Sequence, residues 1–185
     1  NSNPNSISTI NPEPTEESQT GSNTPDDLTM GQENALKSAL SYLKSSAFSA
    51  SGLIKQLEFV GYSHEDAQFA VDNCGADWQE QANLQAESYL KSSAFSRAKL
   101  IGQLEHDGFS HEDAQLAVDN CGADWREQAH LKAESYLKSS AFSRDKLIGQ
   151  LEHDGFSHDE AVFGVEEAGY TETGNTSNTQ SQDTK

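Results

Sequence analysis

Residues 88–96 read SYLKSSAFS, and the same nine letters stand at 41–49 and at 135–143. Successive copies are 47 residues apart, and shifting the whole chain by that distance aligns much more than this stretch. Between 86–113 and 133–160, only three of 28 positions differ. Self-similarity at a fixed period of this size is typical of tandem repeats of a small supersecondary unit. We therefore expect three copies of one module rather than a single large core.

Each copy has the periodicity of three helices. In the second copy, Asp77 is placed to cap a helix whose apolar residues recur over 78–90 with a period near 3.6 residues. Ser96 is expected to cap a second helix, which ends at Gly108. Ser110 opens a third helix with an acid, Asp113, at its third position, a variant of the capping box. No stretch alternates between polar and apolar residues as a strand would.

The predicted fold class is all-α, with three tandem helix-turn-helix or three-helix modules of about 47 residues joined by shared linker helices. Trp78 is expected to close the first module, although it belongs to the first helix of the second. The third module has no equivalent tryptophan, so we expect it to be the least stable. The predicted boundaries are a spacer at 1–31, module 1 at 32–76, module 2 at 77–123, module 3 at 124–170 and a tail at 171–185.

The two ends of the chain are predicted to be disordered. Residues 1–30 contain no Lys, Arg or aromatic residue and consist largely of Asn, Ser, Thr, Pro, Gln and acids, and 171–185 are similar. Such segments cannot bury enough apolar surface to offset the entropy of ordering. No apolar run approaches the length of a transmembrane helix, and no signal peptide is present. A polar leader of this kind is typical of a spacer between a domain and an upstream anchor.

The chain is strongly acidic, with a formal net charge of −18 over 185 residues. Residues 31–170 hold 23 acidic and 11 basic residues, a net charge of −12. A surface of this sign repels phosphate backbones and anionic lipid headgroups, so it disfavours nucleic-acid binding. It favours a basic protein partner, with an attraction that weakens as salt rises. For any single acid, a role in solubility alone remains an equal alternative.

The cysteines and histidines, which could form a disulfide, a metal site or a catalytic site, are better explained by packing and by exposure at turns. Cys74 and Cys121 hold equivalent positions, and Ala168 replaces them in module 3, which indicates packing rather than a disulfide or a zinc site. Two turns combine histidines with acids, at 106–113 and 153–160, and a metal site or solvated turn histidines could explain them; solvated histidines fit better. No nucleophile elbow, phosphate-binding loop or metalloprotease motif occurs. We expect no enzyme activity, cofactor or metal.

If acids mediate binding, those around the tight Gly-aromatic-Ser turn of each copy are the best candidates. Exposed ion pairs contribute only ~0.2–1 kcal/mol each, so an effect should require several acids together. The candidate partner-binding residues are Glu58, Glu65, Asp66, Glu105, Asp107, Glu112, Asp113, Glu152, Asp154, Asp159 and Glu160.

Over about 140 residues, the repeat resembles the host cell surface-exposed lipoprotein family, the Ltp-type superinfection-exclusion proteins of temperate phages of Gram-positive bacteria. The matching elements are Tyr89-Leu90, Ala94-Phe95-Ser96, Leu100-Ile101, Gln103-Leu104, Gly108-Phe109-Ser110, Ala117-Val118-Asp119 and Asp124-Trp125. The resemblance implies a helix-turn-helix protein on the outer face of the cytoplasmic membrane, held by a lipid on a cysteine upstream of this sequence. It also implies that the protein blocks DNA entry by further phages, with the phage tape-measure protein as the proposed partner. We expect a monomer.

A second, shorter resemblance concerns about 20 residues per copy. The Gly-Phe turn before an Ala-rich helix, at 108–120 in module 2, is similar to ubiquitin-associated domains, which are also three-helix bundles. This resemblance implies an intracellular protein-interaction adaptor instead of a surface protein. Both alternatives are binding modules, and a lipid-modified cysteine just before Asn1 would exclude the adaptor.

Overall fold

The computed structural model describes residues 28–170, and within that range it contains nine helices and no strand. Disorder was predicted for residues 1–30 and 171–185, of which 1–27 and 171–185 lie outside the described residues. The prediction is wrong at Met30, which is the first residue of α1. Helix α1 begins at Met30, two residues before the expected boundary, because Thr29 and Gln32 form a capping box ahead of it. The helices are α1 Met30–Ser45, α2 Ala50–Phe59, α3 His64–Asn73, α4 Trp78–Ser92, α5 Arg97–His106, α6 His111–Asn120, α7 Trp125–Ser139, α8 Arg144–His153 and α9 His158–Glu167.

The all-α prediction with three tandem modules is confirmed. In each module the first, long helix packs mainly against the third, and the second helix packs against both. Each module buries its own apolar cluster; in module 2 this contains Leu100, Leu104, Phe109 and Val118 among others. Alanines such as Ala82 line the face of the long helix, and their small side chains let the helices approach closely. Three small cores therefore replace one large one.

Helix ends are fixed by the residues that the sequence indicates. The Asp77 carboxylate accepts hydrogen bonds from the amides of Gln79 and Glu80 at the start of α4. Ser110 Oγ accepts from the amide of Asp113 at 3.0 Å and donates to the Asp113 carboxylate at 2.7 Å. The reciprocal bond of a full capping box, from the cap's own amide, is absent at Ser110, because an aspartate is shorter than the glutamate or glutamine that normally makes it.

The linker helices serve two modules, as predicted. Trp78 begins α4 but packs against the apolar cluster of module 1, and Trp125 begins α7 but packs against that of module 2. One turn later, the Gln81 side chain accepts a hydrogen bond from the amide of Phe48 at 3.3 Å. The equivalent glutamine at the start of α7 does the same for Phe95 at 3.3 Å. Modules 1 and 2 are thus each closed by the first turn of the module that follows.

A buried serine joins successive modules a second time. Ser49 Oγ, at the cap of α2, donates to the carbonyl oxygen of Asp107 in the turn of module 2 at 2.6 Å. Ser96 Oγ donates in the same way to Asp154 of module 3 at 2.6 Å. Both serines are almost completely buried. The modules therefore form a continuous row, which we call the stack, rather than independent beads on a string.

The contact between modules predicts the effect of Ser96→Ala. The substitution removes the cap of α5 and leaves the carbonyl of Asp154 without its donor, so we expect it to lower the free energy of unfolding by about 2 kcal/mol. Ser143 is the matched control: it stands at the same position in module 3, is exposed and makes no side-chain capping bond. Ser143→Ala should change stability by less than about 0.5 kcal/mol. Urea unfolding checks both, and equal effects would contradict a contact between modules.

The two ends of the stack differ from its interior. Gly31 stands where modules 2 and 3 have Trp78 and Trp125, and no module lies before it within the described residues. At the other end, Tyr170 packs against the core of module 3 and donates to the carbonyl of Phe142. Module 3 has no equivalent tryptophan, as predicted, but Tyr170 supplies a closing contact that was not predicted. The lower stability of module 3 stays a prediction.

Candidate protein-binding surface

The turn between the second and third helices is the same in all three modules. In module 2, the amide of Gly108 donates to the carbonyl of Glu105 at 2.9 Å, and that of Phe109 donates to Leu104 at 3.1 Å. This pair of bonds is a Schellman motif, which needs a left-handed residue after the helix, and Gly108 has φ +92°. The turn buries the Phe109 ring and leaves Glu105 and Glu112, on either side of it, exposed.

A glutamate and a histidine pair across each turn. The histidine Nδ1 and the glutamate Oε1 are 2.7 Å apart in modules 1 and 3 and 2.6 Å apart in module 2, in the pairs His64–Glu58, His158–Glu152 and His111–Glu105. All three histidines are largely exposed, in agreement with the prediction of solvated turn residues. Among residues 28–170, no three His, Cys, Asp or Glu side chains are grouped so that they could hold a metal ion. The three glutamates remain exposed carboxylates at the rim of the turn.

Asp107 and Asp154 have a structural role that was not predicted. Both are half-buried, and their carboxylates accept hydrogen bonds from Tyr89 at 2.6 Å and from Tyr136 at 2.5 Å. Burial, followed by the hydrogen bond to the neighbouring aspartate, raises the pKa of each tyrosine above its ordinary value of 10.0. The backbone carbonyls of the two aspartates are those that accept from the preceding module. These two acids hold the turns against the stack and are less available to a partner.

Three further candidates are used at helix starts. Asp66 and Asp113 accept from the hydroxyls of the capping serines at 2.8 and 2.7 Å, and Glu160 accepts from the amide of Ser157 at 2.8 Å. Their position in the first helical turn is favourable, because the positive end of the helix dipole lies there. They contribute negative charge to the surface, but moving them to meet a partner would break a cap.

The remaining candidates have no partner within the described part of the chain. Each is exposed, lies at the second position of its helix and makes no hydrogen bond or ion pair with another described residue. These residues are Glu65, Glu112 and Asp159. The stack therefore presents one uncommitted carboxylate per module beside the exposed glutamate of the Glu–His pair. We call this repeated surface, one patch per module, the acidic turn surface.

A groove between modules 1 and 2 was not predicted. It has a volume of about 380 Å³ and is bordered by Leu43 and Ala47 of module 1 and by Leu84 of α4. Leu84 is partly exposed there, as is its equivalent Leu131 in module 3, whereas module 1 has Lys37 at that position. The sequence does contain a signal for this groove, because leucine stands at this position in modules 2 and 3, which follow another module, but not in module 1.

The two cysteines are free thiols at the ends of α3 and α6. Cys74 and Cys121 are half-buried, and their thiols donate to the carbonyls of Val71 at 3.2 Å and Val118 at 3.0 Å. Packing at a helix end accounts for both. Among the described residues, no helix is long and apolar enough to cross a membrane.

Comparison with known proteins gives one match. The family model described as host cell surface-exposed lipoprotein matches residues 31–74, 77–121 and 124–167. Each match covers the three helices of one module, and together they span more than half of the chain. No curated protein and no solved structure matches the chain.

Proposed function

This chain belongs to the host cell surface-exposed lipoprotein family, and from that premise we propose that it excludes superinfecting phages by blocking the entry of their DNA. In this proposal it is encoded by a prophage and sits on the outer face of the cytoplasmic membrane of a Gram-positive bacterium. A lipid on a cysteine upstream of Asn1 holds it there, and the polar residues before α1 serve as a spacer. The family supplies the surface location; the exclusion activity is our inference.

The acidic turn surface supports a basic protein as the partner. Residues 31–170 carry a net charge of −12, which attracts a cationic segment and repels nucleic acid. A phage protein that crosses the envelope during injection, such as the tape-measure protein, would meet this surface before the DNA does. Capture at that moment would stop injection without affecting adsorption.

The repeat suits weak contacts that act together. One exposed carboxylate contributes only ~0.2–1 kcal/mol to binding a cation, which is too little for capture. The same uncommitted carboxylate recurs in each module at Glu65, Glu112 and Asp159, and contacts between modules fix the three patches relative to one another. Linked sites bind an extended partner with an avidity about 10²–10⁴ times that of one site. The single observation that carries the proposal is this threefold repetition on a member of the family.

The test expresses the chain with its native signal and lipid anchor in a phage-sensitive host. We expect adsorption, measured as the loss of free phage from the medium, to be unchanged. Entry of phage DNA, measured with labelled phage DNA, should fall sharply. The matched control is the same chain without its anchor, retained in the cytoplasm, where it should give no protection. Unchanged DNA entry across several phages would sink the proposal. Protection by the cytoplasmic form would favour the intracellular adaptor instead.

A further inference from the structure

The outer end of module 1 is apolar where the other modules are polar. At three positions, modules 2 and 3 have aspartate, histidine and aspartate, whereas module 1 has Met30, Phe59 and Val60. The three apolar residues are 74%, 85% and 47% exposed. Single exposed apolar residues are common on proteins. Three replacements of polar by apolar residues in one copy of a repeat are not isolated cases. They indicate a surface that contacts a partner or a membrane rather than solvent.

These positions lie on one side of the stack. In modules 2 and 3, the carbonyls of Asp107 and Asp154 accept from the preceding module, and the residue after the capping aspartate packs against the preceding core. The equivalent positions in module 1, which are 30–31 and 60–61, therefore face the place that a preceding module would fill. Phe59 adjoins them. We call this side, with Met30, Gly31, Phe59, Val60 and Gly61, the entry face, because the chain enters module 1 there.

We propose that the entry face rests on the lipid bilayer to which the chain is anchored. The inference builds on the lipid anchor of the proposed function. An anchored chain reaches its first module through the entry face, so this face starts closest to the membrane. Even fully extended, the 27 residues before Leu28 span at most about 95 Å, so an anchor ahead of them keeps the two surfaces at a local concentration on the order of millimolar. A weak apolar contact suffices under such conditions.

The distribution of charge agrees with this orientation. Module 1 has 5 acidic and 3 basic residues, a net charge of −2, whereas module 2 has 8 and 3 and module 3 has 10 and 5, which gives −5 for each. An acidic protein is repelled by anionic headgroups, and the repulsion is smallest for its least charged end. Contact through module 1 keeps the acidic patches of modules 2 and 3 away from the membrane and open to a partner.

The test places a tryptophan on the entry face. The Phe59→Trp chain, with an N-terminal hexahistidine tag in place of the lipid, is attached to phosphatidylcholine vesicles that contain a nickel-chelating lipid and brominated acyl chains. Interfacial side chains lie about 5–10 Å into the headgroup and acyl boundary, so we expect bromine to quench the emission of the introduced tryptophan by about half. That emission is taken as the difference between the variant and the parent chain, which already contains Trp78 and Trp125. His106→Trp is the matched control, since the His106 side chain is 84% exposed at the equivalent position of module 2. The tryptophan introduced there should be quenched far less.

A second variant tests the cause of the contact. Val60→Asp restores the residue of modules 2 and 3. Tyr42 and Gln56 occupy the positions of Tyr89 and Gln103, which donate hydrogen bonds to the Asp107 carboxylate in module 2. Added to Phe59→Trp, it should lower the quenching to the level of the His106→Trp variant while helicity is retained. Equal quenching of the Phe59→Trp and His106→Trp variants would overturn the inference. Because the tag supplies the attachment, that outcome leaves phage exclusion untouched, and a failure of exclusion leaves this result unchanged.

Discussion

Leu104→Ala is expected to unfold module 2. Leu104 is fully buried in the apolar cluster between α4, α5 and α6. Removing its side chain leaves a cavity in a core that has few other large residues, and such changes cost ~2–5 kcal/mol. A module of about 47 residues has little stability to spare. Circular dichroism and thermal unfolding should show a loss of helix and a lower melting temperature.

The neighbouring modules should share part of that loss. Trp125 packs on the core that Leu104 supports, and Ser49 donates to the turn that follows α5. In repeat proteins, stability is a sum of module and interface terms, so a failed middle module also removes both of its interfaces. Leu116→Ala in the same module is the control, because Leu116 is 45% exposed and its loss should cost less than about 0.5 kcal/mol. Full helicity and an unchanged melting temperature in the Leu104 variant would contradict the core assignment.

Gly108→Ala should be the second most damaging change. The left-handed conformation of Gly108 costs an alanine about 1–2 kcal/mol. A Cβ there would also lie 2.1 Å from Ser51 Oγ and 3.0 Å from Ser49 Oγ of module 1, so both hydroxyls must move and their hydrogen bonds to the turn of module 2 are disturbed. Overpacking of this kind adds about 1–3 kcal/mol. Urea unfolding should therefore show a loss of about 2–5 kcal/mol in total.

Gly61→Ala separates the two causes. Gly61 occupies the same turn of module 1 with φ +104°, but no atom lies within 4 Å of its added Cβ, since no module precedes it in the described chain. Only the backbone strain should remain, about 1–2 kcal/mol. If Gly61→Ala and Gly108→Ala destabilise the protein equally, the close approach of modules 1 and 2 at this turn is refuted.

The repeat made the fold predictable. Because Ser96, Ser110 and Asp77 recur at fixed spacing beside apolar stretches of helical period, both the helices and their caps follow from the sequence. The contacts between modules do not follow, since a serine hydroxyl that caps a helix gives no sign that it also reaches a carbonyl 58 residues away. Tyr170 was missed for a related reason, as it closes module 3 from a position where the other copies have alanine.

The candidate surface was predictable as a set of acids but not in its ranking. Composition and turn position identify all eleven carboxylates. The structure adds that some of them accept intramolecular hydrogen bonds and others do not. Asp107 and Asp154 hold the turns by accepting hydrogen bonds from partly buried tyrosines, whereas Glu65 and its equivalents make no hydrogen bond to another described residue. An acid accepts an intramolecular hydrogen bond only where a donor on another helix lies close enough. The periodicity of a single helix gives no information on that distance.

We propose that the acidic turn surface, repeated along an anchored stack, blocks phage DNA entry. The direct test combines Glu65→Gln, Glu112→Gln and Asp159→Asn in the anchored protein and measures entry of labelled phage DNA. The matched control neutralises three acids that are also exposed and equivalent in the three modules but lie in the first turns of the long helices, namely Glu33, Glu80 and Glu127. We predict that DNA entry is restored by the first set and stays blocked with the second. Continued exclusion by the first set, at equal surface abundance, would contradict the claim.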